Sequence, residues 1–530
     1  MLKTNESFAE DDQIYDVNQG VGGPVDQRPR AVVIGAGIGG LASAMRLGAK
    51  GYRVEVVDRL DSVGGRGTAV TVNGHRFDLG PTIVTVPNCF KELWAATGNK
   101  FEDDVDLRPL DPFYTIRFPD GSEFNARRDH EDMRAEVKRL SPSDLAGYDK
   151  IVKDAEARYS FGFEDLGRRP MNELWELIKV LPIFAWYRAD RSVYAHAAKR
   201  LKDERMRMAL SFHPLFIGGD PFHVTSMYTL VSHLEKEFGV HYAMGGVAAI
   251  AEAMAKTVRK QGGKIRLNEE VDEILVENGK ATGVSLKSGQ ALAAPVVVSN
   301  ADAGHTYDHL MRNAKKRRWT PKKLATRRWS MGLFIWYFGT KGTREKWADV
   351  GHHTILSGPR YKGLVRDIFM KGKLCDDMSL YVHRPTVTDP GCAPEGDDTF
   401  YALSPVPHLG FDNGVDWKTE AEPYRQKVQA VLEEKMLPGL GETISASHVM
   451  TPLDFQDRYL SPYGSGFSIE PRILQSAWFR PHNVSEEVKG LYLAGAGTHP
   501  GAGLPGVVSS AEVLAKLVPD AMPASVKVSA

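Results

Sequence analysis

The chain has 530 residues, with 67 Lys plus Arg balanced by 67 Asp plus Glu. That length exceeds one compact core, so two or more lobes are expected, and the balanced charge removes any global case for nucleic-acid binding. The only cysteines are Cys89, Cys375 and Cys392, none in a CxxC pair; this argues against a disulfide framework or a structural zinc site and fits a reducing compartment.

Residues 1–29 are acidic, polar and glycine-containing, with no apolar core of a secretory signal, and read as a flexible leader. Ala31 to Ile34 is a β-branched strand, Gly39 to Lys50 has helical spacing, and "YRVEVVDR" (Tyr52 to Arg59) is a second buried strand. Such a β-α-β unit is the usual seat of a dinucleotide. Between strand and helix runs Gly35-Ala36-Gly37-Ile38-Gly39-Gly40. Gly35 permits the turn, Gly37 lets backbone approach a pyrophosphate, and Gly40 lets helix pack on strand. Asp58 ends the second strand, where a carboxylate meets the adenosine ribose. "RLDSVGGRG" then supplies Gly64, Gly65 and Arg66, a second glycine pair with a cation for the other phosphate, followed by "GHRFDLGPTIVTVP".

From about Phe101 to Phe238 the chain becomes charged, aromatic and largely helical, with "LWELIKVLPIFAWYR" (Leu174 to Arg188) its most apolar piece. No apolar stretch approaches the roughly 20 residues that span a bilayer. Helix and alternating strands return over Gly245 to Leu286, and "PVVVSNAD" is another buried strand. His305 and His309 form HxxxH, but Thr306 stands where a metalloprotease carries Glu and no third ligand is evident, so ordinary histidines are expected and no metal site. "RNAKKRRWTPKKLATRR" (Arg312 to Arg328) contains no acid and reads either as a solvated basic face or as a surface for anionic lipid.

The chain closes with "LYLAGAGTHPGAGLPGVVSSAEVLAKL", a second glycine-rich strand–turn–helix. Two cofactors, two copies of a domain, or one cofactor held from both ends each account for it. No acidic residue ends a later strand, which argues against a second nucleotide. The domain pattern expected is a nucleotide domain from segments 30–100, 236–305 and 485–518, a second domain from 101–235 and 306–484, and a tail at 519–530.

The succession acid, GGR, FDxGP resembles the large FAD family of amine oxidases, carotenoid desaturases and Rab-escort proteins. The resemblance implies an α+β fold with an α/β FAD-binding core: a discontinuous Rossmann-like FAD domain with an inserted substrate domain. It also implies that the terminal turn, with Gly495, Gly497, Gly503, Gly506 and Val507, caps the flavin end of the same FAD. Many relatives have an acid where Ala496-Gly497 stands here. Gly39, Arg59, Gly80, Pro81, Thr82 and Val271 complete the expected cofactor-binding set. "LSFHPLFIGGDPF", "LEKEFGVHYAMGG", "YALSPVPHLG" and "SIEPRILQSAWFRPHN" are similar to the bacterial and fungal phytoene desaturases, from about Ala31 to Leu517. That implies stepwise dehydrogenation of a C40 carotene, 15-cis-phytoene, with reoxidation by oxygen or a quinone, at the cytoplasmic side of the inner membrane.

A polyene has no polar handle, so its site needs a long apolar tunnel. Leu174, Trp175, Leu177, Ile178, Phe184, Trp186, Phe212, Phe216 and Leu333 to Phe338 suit such a lining, and each also suits an ordinary core. Family proposals for the catalytic pair map onto Glu176 and Lys179, counted back from "RSVY", where relatives carry Asp and Arg; their i, i+3 spacing equally predicts a surface ion pair. The rival readings are another carotenoid oxidoreductase of the family, such as a hydroxyneurosporene desaturase or a carotene isomerase, and a non-catalytic binder of prenyl chains.

Overall fold

The computed structural model describes residues 26–521, so 1–25 and 522–530 of the expected leader and tail lie outside it. Its organising element is a five-stranded parallel sheet drawn from three distant stretches of chain. In spatial order the strands are Leu491–Leu493, Val296–Ser299, Arg30–Ile34, Arg53–Val57 and Lys264–Arg266. Ala31 pairs with Val296 on one side and Val54 on the other. The central β-branched run is buried on both faces, as a parallel sheet covered by helices requires. The helices Ile38–Ala49, Gly246–Lys260 and Leu504–Leu517 pack on one face, sharing a core that includes Leu41, Met45, Ile250, Met254 and Leu514. The other face carries the three-stranded antiparallel sheet of Val271–Glu277, Lys280–Leu286 and Ala291–Ala293.

The second large element is a seven-stranded, mostly antiparallel sheet. Its order is Ile444–Met450, Gly332–Thr340, Asp398–Val406, Leu380–His383, His353–Leu356, Tyr114–Arg117 and Glu123–Ala126. Side-chain alternation divides the strand Gly332–Thr340 between two environments. Phe334, Trp336 and Phe338 pack with Trp417, Tyr424 and Val428, the last three from the helix Trp417–Lys435. Leu333, Ile335 and Tyr337 face the opposite way, into a cluster with Phe77 and Leu79 from the nucleotide side. Of the apolar run expected as tunnel lining, only Leu333 and Ile335 line a cavity, and the other four residues are core.

Among the described residues no helix is long and apolar enough to cross a membrane. The helix Leu174–Trp186 is one-sided: Leu177 and Val180 are buried, while Trp175 is 62% and Trp186 83% exposed.

Candidate functional site

Both glycine-rich turns open into one cavity of about 590 Å³, whose far end is walled by the second sheet and the helical region. Gly35, Gly37, Gly39, Asp58, Arg59, Gly64, Gly65, Arg66, Gly80, Pro81, Thr82, Val271, Gly495, Gly503, Gly506 and Val507 all line it. Gly40 lies behind the wall: a Cβ there would sit 1.9 Å from the Gly35 carbonyl, so it serves the helix–strand contact. Gly497 corrects its expected place in the lining. A Cβ there would meet Ser468 Oγ at 2.9 Å and Ala303 at 3.0 Å, so this glycine is kept small by packing.

The turns are built to bring backbone close. Gly35 and Gly64 have φ of +94° and +100°, a region that favours glycine. The Asp58 carboxylate accepts from Ala36 N at 2.6 Å and Leu60 N at 2.8 Å, locking the first turn to the end of the second strand. Burial pushes its pKa up, opposed by those two hydrogen bonds. Asn300, which follows the strand Val296–Ser299, joins the two ends of the chain. Its Nδ2 donates to Ala494 O at 2.9 Å, and Cβ atoms added at Gly37, Gly39 or Gly495 would fall 2.9, 2.5 and 2.6 Å from its side-chain amide. Nothing local in the sequence marks Asn300, whose partner Ala494 lies 194 residues away.

At the middle of the cavity stand Arg66 and Asp302. Arg66 Nη2 donates to Ser461 Oγ at 2.5 Å, while its buried Nε has no partner; Asp302 Oδ1 accepts from Gly304 N at 2.8 Å, while Oδ2 has none. Burial lowers the pKa of Arg66 and raises that of Asp302. Beyond them the wall is mostly apolar: Phe184, Phe212, Phe216, Leu333, Ile335 and Leu403 contribute. One hydroxyl cluster interrupts it. Thr82 Oγ1 lies 3.1 Å from both the Tyr381 and the Tyr401 hydroxyls, and Tyr337 OH donates to Leu79 O at 3.1 Å.

Glu176 and Lys179 are not brought to this site. They sit on the exposed flank of the helix Leu174–Trp186, paired at 2.8 Å, and neither lines the cavity. The Lys179 hydrogen bond holds the Glu176 pKa down, as a solvated ion pair does. Of the two i, i+3 readings, the structure shows the ion pair. His305 lines the cavity beside Arg59 and stacks on His309 at 5.0 Å.

A family model described as flavin containing amine oxidoreductase matches residues 38–518. The chain belongs to that family. Within it, the chain is 69% identical over 498 residues to a phytoene desaturase (neurosporene-forming) of Cereibacter sphaeroides, covering 94% of this chain and 96% of that one. A phytoene desaturase (lycopene-forming) of a Paracoccus species is 42% identical over 488 residues, covering 92% and 97%. Among solved structures, an oxidoreductase from Methanosarcina mazei superposes with a TM-score of 0.63 at 21% identity, covering 92% and 100%, a likeness of fold.

The cofactor is FAD, and the cradle fits it. Asp58, with lone pairs remaining, would hold the ribose hydroxyls, Gly37 and Gly65 with the buried Arg66 guanidinium would hold the phosphates, and the start of the helix Leu504–Leu517 would hold the flavin end. When bound there, FAD supplies the hydride acceptor.

Proposed function

We propose that this protein is a phytoene desaturase of the membrane surface. It converts 15-cis-phytoene through phytofluene and ζ-carotene to neurosporene, and to lycopene if a fourth step follows. The observation that carries the reading is the single cavity running from the FAD cradle into a long apolar wall. Binding there rests on buried area, at about 25 cal/mol per Å², and Phe184, Phe212 and Phe216 hold the chain while excluding water. A prenyl-binding role without cofactor leaves the buried charged residues Arg66 and Asp302 of the cavity lining without a purpose. The 69% identical relative favours neurosporene as the main product.

Access from a bilayer is supported by the helix Leu174–Trp186. Leu174, Trp175, Ile178, Leu181 and Trp186 are exposed on its outer side, while Phe184 of the same helix lines the cavity. The basic segment lies close by: Arg318 stacks over Trp478 at 4.3 Å, and Trp478 belongs to the turn Ala477–Phe479 that packs on this helix. Aromatic and cationic side chains together suit the headgroup level of a membrane, here the cytoplasmic face of the inner membrane. Oxygen or a quinone then takes the electrons. Incubation of the FAD-loaded protein with phytoene in liposomes, followed by chromatography, tests the proposal. Neurosporene as the main product supports it; phytoene recovered unchanged refutes it.

A further inference from the structure

Each desaturation replaces two C–H bonds by one C=C bond, and a hydride and a proton leave. On the reading above, the proton is released in a mostly apolar cavity, where a stranded charge is costly. Beneath the hydroxyl cluster of the wall runs a set of groups that the FAD cradle and the apolar lining leave unexplained. Tyr381 OH lies 2.8 Å from His353 Nδ1. His353 pairs across the strands with His383, and their rings stack at 5.2 Å. His383 Nε2 lies 3.1 Å from His352 Nε2, and His352 Nδ1 lies 2.7 Å from Thr388 Oγ1. Tyr381 lines the cavity, the three histidines are buried, and Thr388 is part-exposed on the outer surface.

We infer that Tyr381, His353, His383, His352 and Thr388 form a conduit that carries the substrate's proton from the cavity to the surface. The proton arriving at the Tyr381 oxygen displaces its own hydroxyl proton to His353 Nδ1. His353 gives up its Nε2 proton to His383, His383 Nε2 passes one to His352 Nε2, and His352 Nδ1 hands one to Thr388 and solvent water. Every ring gains one proton and loses one, while the hydride leaves separately to the bound oxidant. His353 Nε2 is buried without a partner, which marks the one break in the chain. One nitrogen from each ring lies within 4.8 Å of the others, and transfer between the stacked His353 and His383 rings requires a ring rotation or a bridging water.

Burial lowers the pKa of His352 to about 3 and holds those of His353 and His383 well below the usual value. The rings therefore rest neutral, each with a lone pair ready to accept, and hold no proton for long. A substrate carbon made electron-poor by hydride loss is a stronger acid than an imidazolium, so the first transfer from substrate to the rings is downhill. Three clustered histidines also suggest a metal. Zinc held by the three rings is the competing reading, since one nitrogen of each comes within 4.8 Å of the others, and the metal content of the purified protein separates the two.

Two variants, Thr388→Val and His352→Gln, test the conduit with two readouts. In FAD-free protein labelled with ¹⁵N-histidine and moved to D₂O, the His353 ring N–H is expected to exchange at least tenfold more slowly in either variant than in wild type. In loaded protein given phytoene, a pH indicator is expected to report proton release in step with flavin bleaching for wild type, and at least tenfold behind it in both variants. Unchanged exchange and release in both variants overturn the conduit. So does one equivalent of zinc in the purified protein that His352→Gln loses. Absence of bleaching in wild type would instead overturn the desaturase reading, leaving the exchange experiment to judge the conduit alone.

Discussion

Gly39→Ala sets two local effects against each other, and their sizes decide the outcome. Gly39 lies inside the helix Ile38–Ala49. By helix propensity alone alanine is the better residue there, by about 1 kcal/mol. The added Cβ, however, would stand 2.5 Å from Asn300 Nδ2, 3.0 Å from Val507 Cγ1 and 3.3 Å from Gly495 Cα. Asn300 follows the strand Val296–Ser299, while Gly495 and Val507 belong to the terminal turn and to the helix Leu504–Leu517 that close the cradle from the far end of the chain. Relieving the clash pushes the terminal turn outward or breaks the Asn300 to Ala494 hydrogen bond. Overpacking costs about 1–3 kcal/mol, and the lost hydrogen bond about 0.5–1.5 kcal/mol more. The costs exceed the propensity gain, so the variant is expected to lose about 1–3 kcal/mol of stability. Because the displaced elements hold the cofactor, FAD affinity is expected to fall at least tenfold, about 1.4 kcal/mol. Denaturant melts of the FAD-free protein and fluorescence titration with FAD measure the two quantities. Gly351→Ala is the control, since a Cβ there meets nothing within 4 Å. A Gly39→Ala protein as stable as wild type with unchanged FAD affinity would refute the reasoning.

Glu176→Gln is expected to change stability by less than about 0.5 kcal/mol, as a surface ion pair predicts, and to keep the desaturation rate within twofold; a hundredfold loss would restore a catalytic Glu176. Trp175→Ser with Trp186→Ser is expected to leave the melting temperature unchanged and to reduce co-sedimentation with anionic vesicles at least tenfold, with equal binding counting against the membrane face. Stability is expected to fall as pH drops from about 6.5 toward 4. His499 and His305 are lowered by burial to about 4, and His352 to about 3. Their unfolded forms, with an ordinary pKa near 6.5, bind protons first, and each costs about 1.4 kcal/mol per pH unit across that window. Calorimetry at pH 5 in buffers of differing ionisation enthalpy should therefore show proton uptake on unfolding, and none detected would contradict the burial argument.

The parts of this architecture that were legible in the sequence are those encoded locally. Gly35 to Gly40, Asp58 and Gly64 to Arg66 lie within about thirty residues, and the need for close backbone approach selects glycine at identifiable spacings. The terminal turn was legible because it repeats the same grammar. Asn300 was not, because it acts between Gly39 and Gly495, and a lone Asn after a strand carries no signature. Thr82 and Tyr381 are 299 positions apart and meet only through the pairing of the second sheet. His352 and His383 come together because His353 and His383 face each other across two strands, a register that spacing does not reveal. Glu176 and Lys179 show the converse. Two residues at i, i+3 always meet on a helix, so their proximity says nothing about whether that face looks into a cavity.

The central claim is that one FAD, held by both ends of the chain, oxidises a carotene in the adjoining cavity. Anaerobic mixing of the FAD-loaded protein with phytoene in liposomes, followed in the visible spectrum, tests it most directly. The account predicts one FAD per chain, bleaching of its absorbance, and growth of a conjugated polyene spectrum in proportion to the flavin reduced. Flavin that binds in that ratio yet stays oxidised would contradict it.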